Sequence, residues 1–346
     1  MKRKSRIQTL AAAAVAVILA CSGCSAGAGT DKPADKPGAT ATTAPTLLRW
    51  VVFPGTDSEF LPKILESKGI AAKYGIKIET LSLANSNFQT ALQGGSADLA
   101  QNGLISAVSL PAKGLDIKVV GSFEGYGNYL MSLPDGPKSV SELKGKTLGA
   151  FSNTQIDFTV LRAVAKKLYG FDLVTDTKVV PAAPGLLSQL LTKKEVDAVL
   201  QFSSIGFTPV QRKELTNIAT VSALIKQAGW DTKALNLVYL LAPQWMQANP
   251  GKAQKVADMI VEGQNFLQTD DSVWPDLSTS IAKIPEDLVG AYMKETRLAM
   301  STEYSPGAVE STRKLFGSLL DVLGPDGFAG GPPEVPSSMF IFPTKK

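Results

Sequence analysis

One pattern constrains this chain more than any other, and it occurs twice. Leu92-Gln93-Gly94-Gly95-Ser96-Ala97-Asp98-Leu99-Ala100-Gln101-Asn102-Gly103 reads as a helix end, a glycine turn, a short apolar strand and a polar loop that opens the next helix. The stretch from Leu190 through Lys194, Asp197 and Ala198-Val199-Leu200 to Gln201-Phe202-Ser203 repeats that order. Two strands with polar tips, each preceded by helix, turn and Asp, predict two similar α/β lobes. Their tips should lie at the carboxyl ends of the strands, where open α/β sheets bind ligands.

The flanking segments extend the alternation. Leu47-Leu48-Arg49-Trp50-Val51-Val52-Phe53 is a strand ended by Pro54-Gly55, and Thr56, Asp57 or Ser58 caps a helix whose apolar positions are Phe60, Leu61, Ile64 and Leu65. Ile76 to Leu81 alternates as a second strand, Ala97 to Ala100 is the third, and Ile117 to Gly121 the next, with a helix from Leu104 to Ala112 between them. This β-α-β series predicts a mostly parallel sheet. A second series follows Pro134-Asp135-Gly136-Pro137: a strand at Lys146 to Ala150, a helix from a cap at Ser152 to Gln155 as far as Tyr169, then Lys178 to Val180, a helix Gly185 to Leu191 and the repeated strand. Leu235 to Leu241 is a strongly apolar strand that should return to the first lobe. Helices at Pro250 to Leu267 and Pro285 to Leu298 follow, and the Gly- and Pro-rich tail from Gly324 to Pro343 should lie irregularly on the surface.

The expected boundaries are a signal segment at 1–20, a tether at 21–46, a first lobe at 47–130 with 235–346, and a second lobe at 131–234. The start is basic (Lys2, Arg3, Lys4, Arg6), and the apolar run Leu10 to Ala20 is too short for a comfortable membrane span. Ala20-Cys21-Ser22-Gly23-Cys24 follows it at once. That layout resembles a bacterial lipoprotein signal, in which a cysteine is lipidated and becomes the new N-terminus. Cys21, after Val17-Ile18-Leu19-Ala20, fits better than the alternative Cys24, and an unpaired thiol is otherwise a poor choice in an exported chain. Ser25 to Pro45 has almost nothing to bury and reads as a flexible tether.

Composition removes several function classes. The four basic residues of the signal account for the formal charge of +4, because the other 31 basic residues equal the 31 acidic ones. A neutral body offers no general footprint for nucleic acid. There is no histidine, and the two cysteines both lie at the N-terminus, so Ser-His-Asp and Cys-His catalysis and the usual soft metal ligands are excluded from the body. No cofactor and no metal are expected.

Read together, the residues resemble the periplasmic-type substrate-binding proteins of ABC importers, in the type II, NMT1-like branch that takes sulfonates, taurine, nitrate and thiamine pyrimidines. The likeness runs from about Leu47 to Leu267. It is carried by Leu65-Glu66-Ser67-Lys68-Gly69 with Tyr74-Gly75-Ile76-Lys77-Ile78-Glu79, by Ala91 to Asp98, by Lys113 to Val120 and by Val140 to Thr147. Glu195-Val196-Asp197-Ala198 and Ala248-Asn249-Pro250 complete it. The resemblance implies a two-lobe α/β fold with two crossing strands as hinge, and a solute bound in the cleft by closure. It also implies an ABC permease with its ATPase as partners, an extracytoplasmic, lipid-anchored location on the outer face of the bacterial cell membrane, and a monomer. A ligand-sensing lipoprotein without a transporter, or an enzyme on the same scaffold, is the alternative reading.

The expected ligand contacts are Phe53, Asp57, Asn85, Asn102 and Gly103 in the first lobe. Asn153, Thr154, Gln155, Asp157, Gln201, Phe202 and Ser203 are the contacts of the second, with Tyr126 and Trp230 as aromatic walls near the crossings. Asp57, Asn153 and Thr154 can equally cap helices, and Phe53, Phe202 and Trp230 can equally fill cores. Relatives often carry Trp-Glu-Pro where this chain has Gln201-Phe202-Ser203. No basic clamp for an anion is evident, which weakens a sulfonate or nitrate reading and leaves room for a neutral or aromatic solute. Asp98 and Asp197 stand at the far ends of their strands and are expected to be architectural, as are Arg49 and Arg162.

Overall fold

In a computed structural model of the chain, the described residues are 44–111, 114–300, 303–328 and 334–344. The expected signal segment, Cys21, Cys24 and most of the expected tether lie outside them. Among the described residues no helix is long and apolar enough to cross a membrane.

Among the described residues ten strands build two sheets. They are β1 (Thr46–Val52), β2 (Ile76–Ser82), β3 (Leu99–Gly103), β4 (Lys118–Glu124), β5 (Tyr129–Ser132), β6 (Thr147–Ala150), β7 (Lys178–Pro181), β8 (Ala198–Gln201), β9 (Thr216–Thr220) and β10 (Leu237–Leu241). The first sheet has the order β2-β1-β3-β10-β4 and the second β7-β6-β8-β5-β9. β1 pairs in parallel with β2 and β3, while β10 runs antiparallel between β3 and β4. In the second sheet β6 pairs in parallel with β7 and β8, while β5 runs antiparallel between β8 and β9. The sheets therefore share one plan: four parallel strands and, in fourth place, one reversed strand that arrives directly from the other lobe. These are the two crossing strands the resemblance implied, and the fold is that of a type II periplasmic binding protein.

The helices that matter below are α1 (Phe60–Ser67), α2 (Leu104–Ala107), α3 (Ile156–Tyr169), α4 (Pro184–Thr192), α5 (Ser203–Gln211), α6 (Ala253–Thr269), α7 (Val289–Ala299) and α8 (Pro306–Leu323). Alternation along β1 sends Leu48, Trp50 and Val52 to one face, where they pack with Phe60, Leu61 and Leu65 of α1 and Val256, Ala257 and Ile260 of α6. Gly263 permits that approach: a Cβ there would stand 2.6 Å from Leu65 Cδ2 and 2.7 Å from Leu61 Cδ1. Val51 faces the other way, into a second core shared with Phe88, Leu92 and Ala100.

Several boundaries differ from expectation, each for an identifiable reason. β3 continues through Gln101, Asn102 and Gly103, because β10 supplies partners as far as Leu237↔Gly103. Gln201 likewise pairs with Tyr129 inside a sheet. The expected helix from Leu104 to Ala112 stops at Ala107, ahead of Pro111, which cannot donate a helical hydrogen bond. The second sheet already includes Tyr129 and Leu130, so the first crossing lies at 125–128 rather than beyond 130. α8 packs on α3 of the second lobe, with Leu315, Phe316 and Leu319 in the same core as Val160, Leu161 and Val164. The C-terminal region is thus shared between lobes. The tail runs along the edge of β4, where Ile341 N donates to Val119 O (2.9 Å) and Tyr304 Oη donates to the same carbonyl (2.7 Å). An otherwise open sheet edge is covered.

Arg49 and Asp98 hold the opposite end of the first sheet. Arg49 donates to Asp98 from its backbone N (2.8 Å), Nε (3.0 Å) and a terminal nitrogen (2.6 Å). Asp197 accepts from Thr147 N (2.7 Å) in the equivalent place. Arg162 donates to both oxygens of Asp172, from Nε (2.7 Å) and Nη2 (2.8 Å). All four serve architecture.

Candidate functional site

The strand ends of the two sheets enclose a cavity of about 230 Å³. Its first-lobe wall is built by the turn after β1 (Phe53, Thr56, Asp57), the end of β3 (Gln101, Asn102, Gly103) and the end of β4 (Phe123, Glu124). Phe151, Ser152 and Thr154 to Asp157, leading into α3, together with Phe202 and Ser204 at the start of α5, supply the other wall. Asn128 and Asn236, one from each crossing, close the back.

Local sequence explains how the first turn is held. Thr56 Oγ1 donates to Phe53 O (2.7 Å), and Ser58 Oγ both donates to that carbonyl (3.0 Å) and accepts from Phe53 N (2.8 Å). The knot leaves Asp57 at the first position of the 3-10 turn Asp57–Glu59, with its carboxylate over the amides of Asp57 and Ser58.

Three buried carboxylates dominate the electrostatics. Burial pushes Asp57 up to about 6, against the opposing pull of its backbone amides. Burial likewise raises Asp157 to about 6, opposed by hydrogen bonds from Asn128 and Asn236. Glu124 lies well above the ordinary carboxylate range, first through burial and then through the negative charges of Asp57 and Asp157. Its one side-chain hydrogen bond among the described residues comes from Ser203 Oγ to Oε1 (3.3 Å). Among the described residues that line the cavity, none is Lys or Arg. No three acids gather closely enough among the described residues to hold a metal ion.

Asp157 does more than line the cavity. Its Oδ2 accepts from Asn128 Nδ2 (2.6 Å) and its Oδ1 from Asn236 Nδ2 (3.2 Å), while Asn236 Nδ2 also reaches Gly125 O (3.2 Å). One carboxylate at the head of a second-lobe helix therefore ties both crossings together. Tyr126 Oη adds a bond to Leu235 O (3.3 Å) across the same pair of segments.

Of the residues singled out by sequence, Phe53, Asp57, Asn102, Gly103, Thr154, Gln155, Asp157 and Phe202 line this cavity. Asn85 opens the 3-10 turn Asn85–Asn87, whose neighbours Ser86 and Gln89 line it; the Asn85 side chain is outside what is described. Five others do not line it. Asn153 is exposed on a turn. Tyr126 is buried between the crossings. Gln201 is a buried staple, donating to Pro184 O and Ser188 Oγ on α4 and accepting from Phe202 N, because its strand is longer than expected. Ser203 sits behind Glu124. Trp230 packs on the core with Lys167 Nζ 5.0 Å from its ring centre.

Sequence reasoning passed over Glu124, Asn128, Asn236, Phe123 and Phe151. Glu124 carries a readable signal, an acid soon after an apolar strand, but the expected strand stops at Gly121, three residues before it. Asn128 and Asn236 lie in irregular crossings and carry none.

Known proteins are consistent with this architecture. The periplasmic aliphatic sulphonate binding protein SsuA from Escherichia coli superposes with a TM-score of 0.62 at 17% identity, over 80% of this chain and 86% of that one. The alkanesulfonate-binding SsuA of Xanthomonas axonopodis pv. citri, bound to MOPS, gives 0.65 at 16% identity, over 81% and 95%. The desulfurization enzyme DszB shares the fold at 0.54 and 12% identity, over 85% and 97%. A Brucella abortus (strain 2308) relative, named no more specifically than as a candidate binding protein, is 23% identical over 223 residues, 64% of this chain and 67% of its own. The family model described as NMT1/THI5 like matches residues 65–271, and the chain belongs to that family.

Proposed function

We propose that this protein is an extracytoplasmic receptor that captures a small organic solute by cleft closure and hands it to an ABC importer. The observation that carries the reading is a single cavity walled by strand ends of both sheets and backed by the two crossings. A solute held there touches both lobes, so it stabilises the closed arrangement over the open one. The permease and its ATPase can then distinguish loaded from empty receptor. A lipid on Cys21, with Cys24 as the alternative, holds the domain at the outer face of the membrane through the tether. Cys21→Ser should release the protein into the medium, and mass spectrometry of the mature N-terminal peptide should find a diacylglyceryl thioether in the parent.

The receptor reading is tested with a panel of sulfonates, nitrate, aromatic carboxylates, pyrimidines and amines, read by thermal shift and small-angle scattering. A true solute at a hundred times its Kd adds about 2.7 kcal/mol of stability and compacts the molecule. If no member of so broad a panel does either, the receptor reading fails.

A further inference from the structure

We propose that the solute is a small organic cation, an ammonium or amidinium group carried on a flat apolar body. This rests on the receptor reading and names the chemistry of the same cleft.

Two buried acceptors on residues that line the cavity lack donors among the described residues. Gln101 lines it at 9% exposure, and its Oε1 has no hydrogen-bond partner. Asn236, 1% exposed, lines it with Oδ1 equally unpartnered. Glu124, 6% exposed, lines it as well and accepts from Ser203 Oγ at one oxygen. Buried acceptors left without donors are costly, and they add partial negative charge beside the carboxylates that line the cavity. A sulfonate or nitrate brings only more acceptors.

The positions that would bind an anion are already filled by the chain's own carboxylates. Asp157 occupies the first turn of α3, and Asp57 covers the amides of the turn after β1. At the head of α5, the Ser203 amide donates to Asn128 Oδ1 (3.3 Å) and its hydroxyl to Glu124. With no basic side chain among the described residues of the walls, a bound anion would face the carboxyl groups of Asp57, Glu124 and Asp157, whereas a cation offsets the cost of burying them.

Four aromatic rings also line the cavity. Phe53 and Phe123 face the cavity from the first lobe; Phe151 and Phe202, with ring centres 6.2 Å apart and planes tilted by 48°, face it from the second. Such walls take a flat apolar body and also attract positive charge through their ring faces.

The test uses four probes that share a phenyl ring: benzamidine, benzylamine, benzyl alcohol and benzenesulfonate, titrated calorimetrically into the full chain at pH 8. Benzamidine and benzylamine should bind at least about tenfold more tightly than benzyl alcohol, and benzenesulfonate should not bind. Glu124→Gln, with circular dichroism as the control for folding, should remove most of the cation advantage and leave benzyl alcohol within about twofold. If Glu124→Gln does not fold, Asp57→Asn serves the same purpose. Benzenesulfonate binding as tightly as benzamidine would overturn the cation assignment while upholding a receptor. Equal binding of benzyl alcohol and benzamidine would do the same. Failure of all four to bind overturns the assignment too, and the broader panel above then judges the receptor reading by itself.

Discussion

Asp157→Asn isolates the energetic consequence of the carboxylate that ties the crossings together. In the folded protein this group is 5% exposed and titrates at about 6, against an ordinary value of 3.8. A raised folded value means that the group's contribution to stability is fully present below about 3.8 and is lost as the pH climbs through about 6. The separation corresponds to about 3 kcal/mol at 1.36 kcal/mol per pH unit, of which about 2–3 kcal/mol falls between pH 4 and pH 8. The amide offers one acceptor where the carboxylate offered two to Asn128 and Asn236. The variant therefore carries a further cost of about 1–2 kcal/mol that does not depend on pH. The informative quantity is the difference in unfolding free energy, parent minus variant, followed across the pH range. Many other carboxylates titrate with opposite sign, and they cancel in that difference. Glu124, which feels Asp157 directly, does not cancel, and its relief in the variant steepens the trend. Urea titrations followed by tryptophan fluorescence and circular dichroism at half-unit steps of pH supply the curve, with an unchanged slope as the check that the two unfolding reactions are alike. The parent should lose about 2–3 kcal/mol relative to the variant on going from pH 4 to 8. A difference that is flat, or that grows with pH, would refute the claim that this carboxylate is held against its desolvation by two amides.

Other outcomes follow from the same geometry. Affinity for benzamidine, which stays protonated throughout, should weaken as the pH falls through about 6. Asp57 and Asp157 protonate there, and burial also favours the neutral form of Glu124; calorimetry at pH 5 and pH 8 that returns equal affinities would contradict it. Asp98→Ala removes three hydrogen bonds to Arg49 at the end of the sheet remote from the cavity. It should cost about 2–4 kcal/mol in denaturant titration and leave solute affinity unchanged. Gly263→Ala drives a methyl into Leu61 and Leu65 and should lower stability by about 1–3 kcal/mol in scanning calorimetry, whereas an unaltered Tm would mean that α1 and α6 can separate freely.

Much of the fold was readable because it depends on local pattern. The helix-turn-Asp-strand unit at Leu92–Gly103 and its repeat at Leu190–Ser203 mark the same strand in each sheet, and Leu235 to Leu241 does return to the first lobe as β10. Boundaries failed where a partner strand decides them. β3 runs on to Gly103 and β8 to Gln201 only because β10 and β5 lie alongside, so residues that look like loop tips are ladder residues. That shift explains why Gln201 is an internal staple while the next residue, Phe202, reaches the cavity.

By itself the sequence determined a parallel α/β chain in two lobes with two crossings, and placed Phe53, Asp57 and Gln155 just past strand ends where a ligand can be met. Only the tertiary structure decided the character of the cavity. Asp57 closes one strand, Glu124 ends another, and Asp157 begins a helix in the other lobe; no spacing along the chain links them. They meet because β10 is inserted between β3 and β4, and because Asn128 and Asn236 bring both crossings to one carboxylate. Propensity and periodicity act over a few residues, whereas burial of a charge depends on which distant elements close over it.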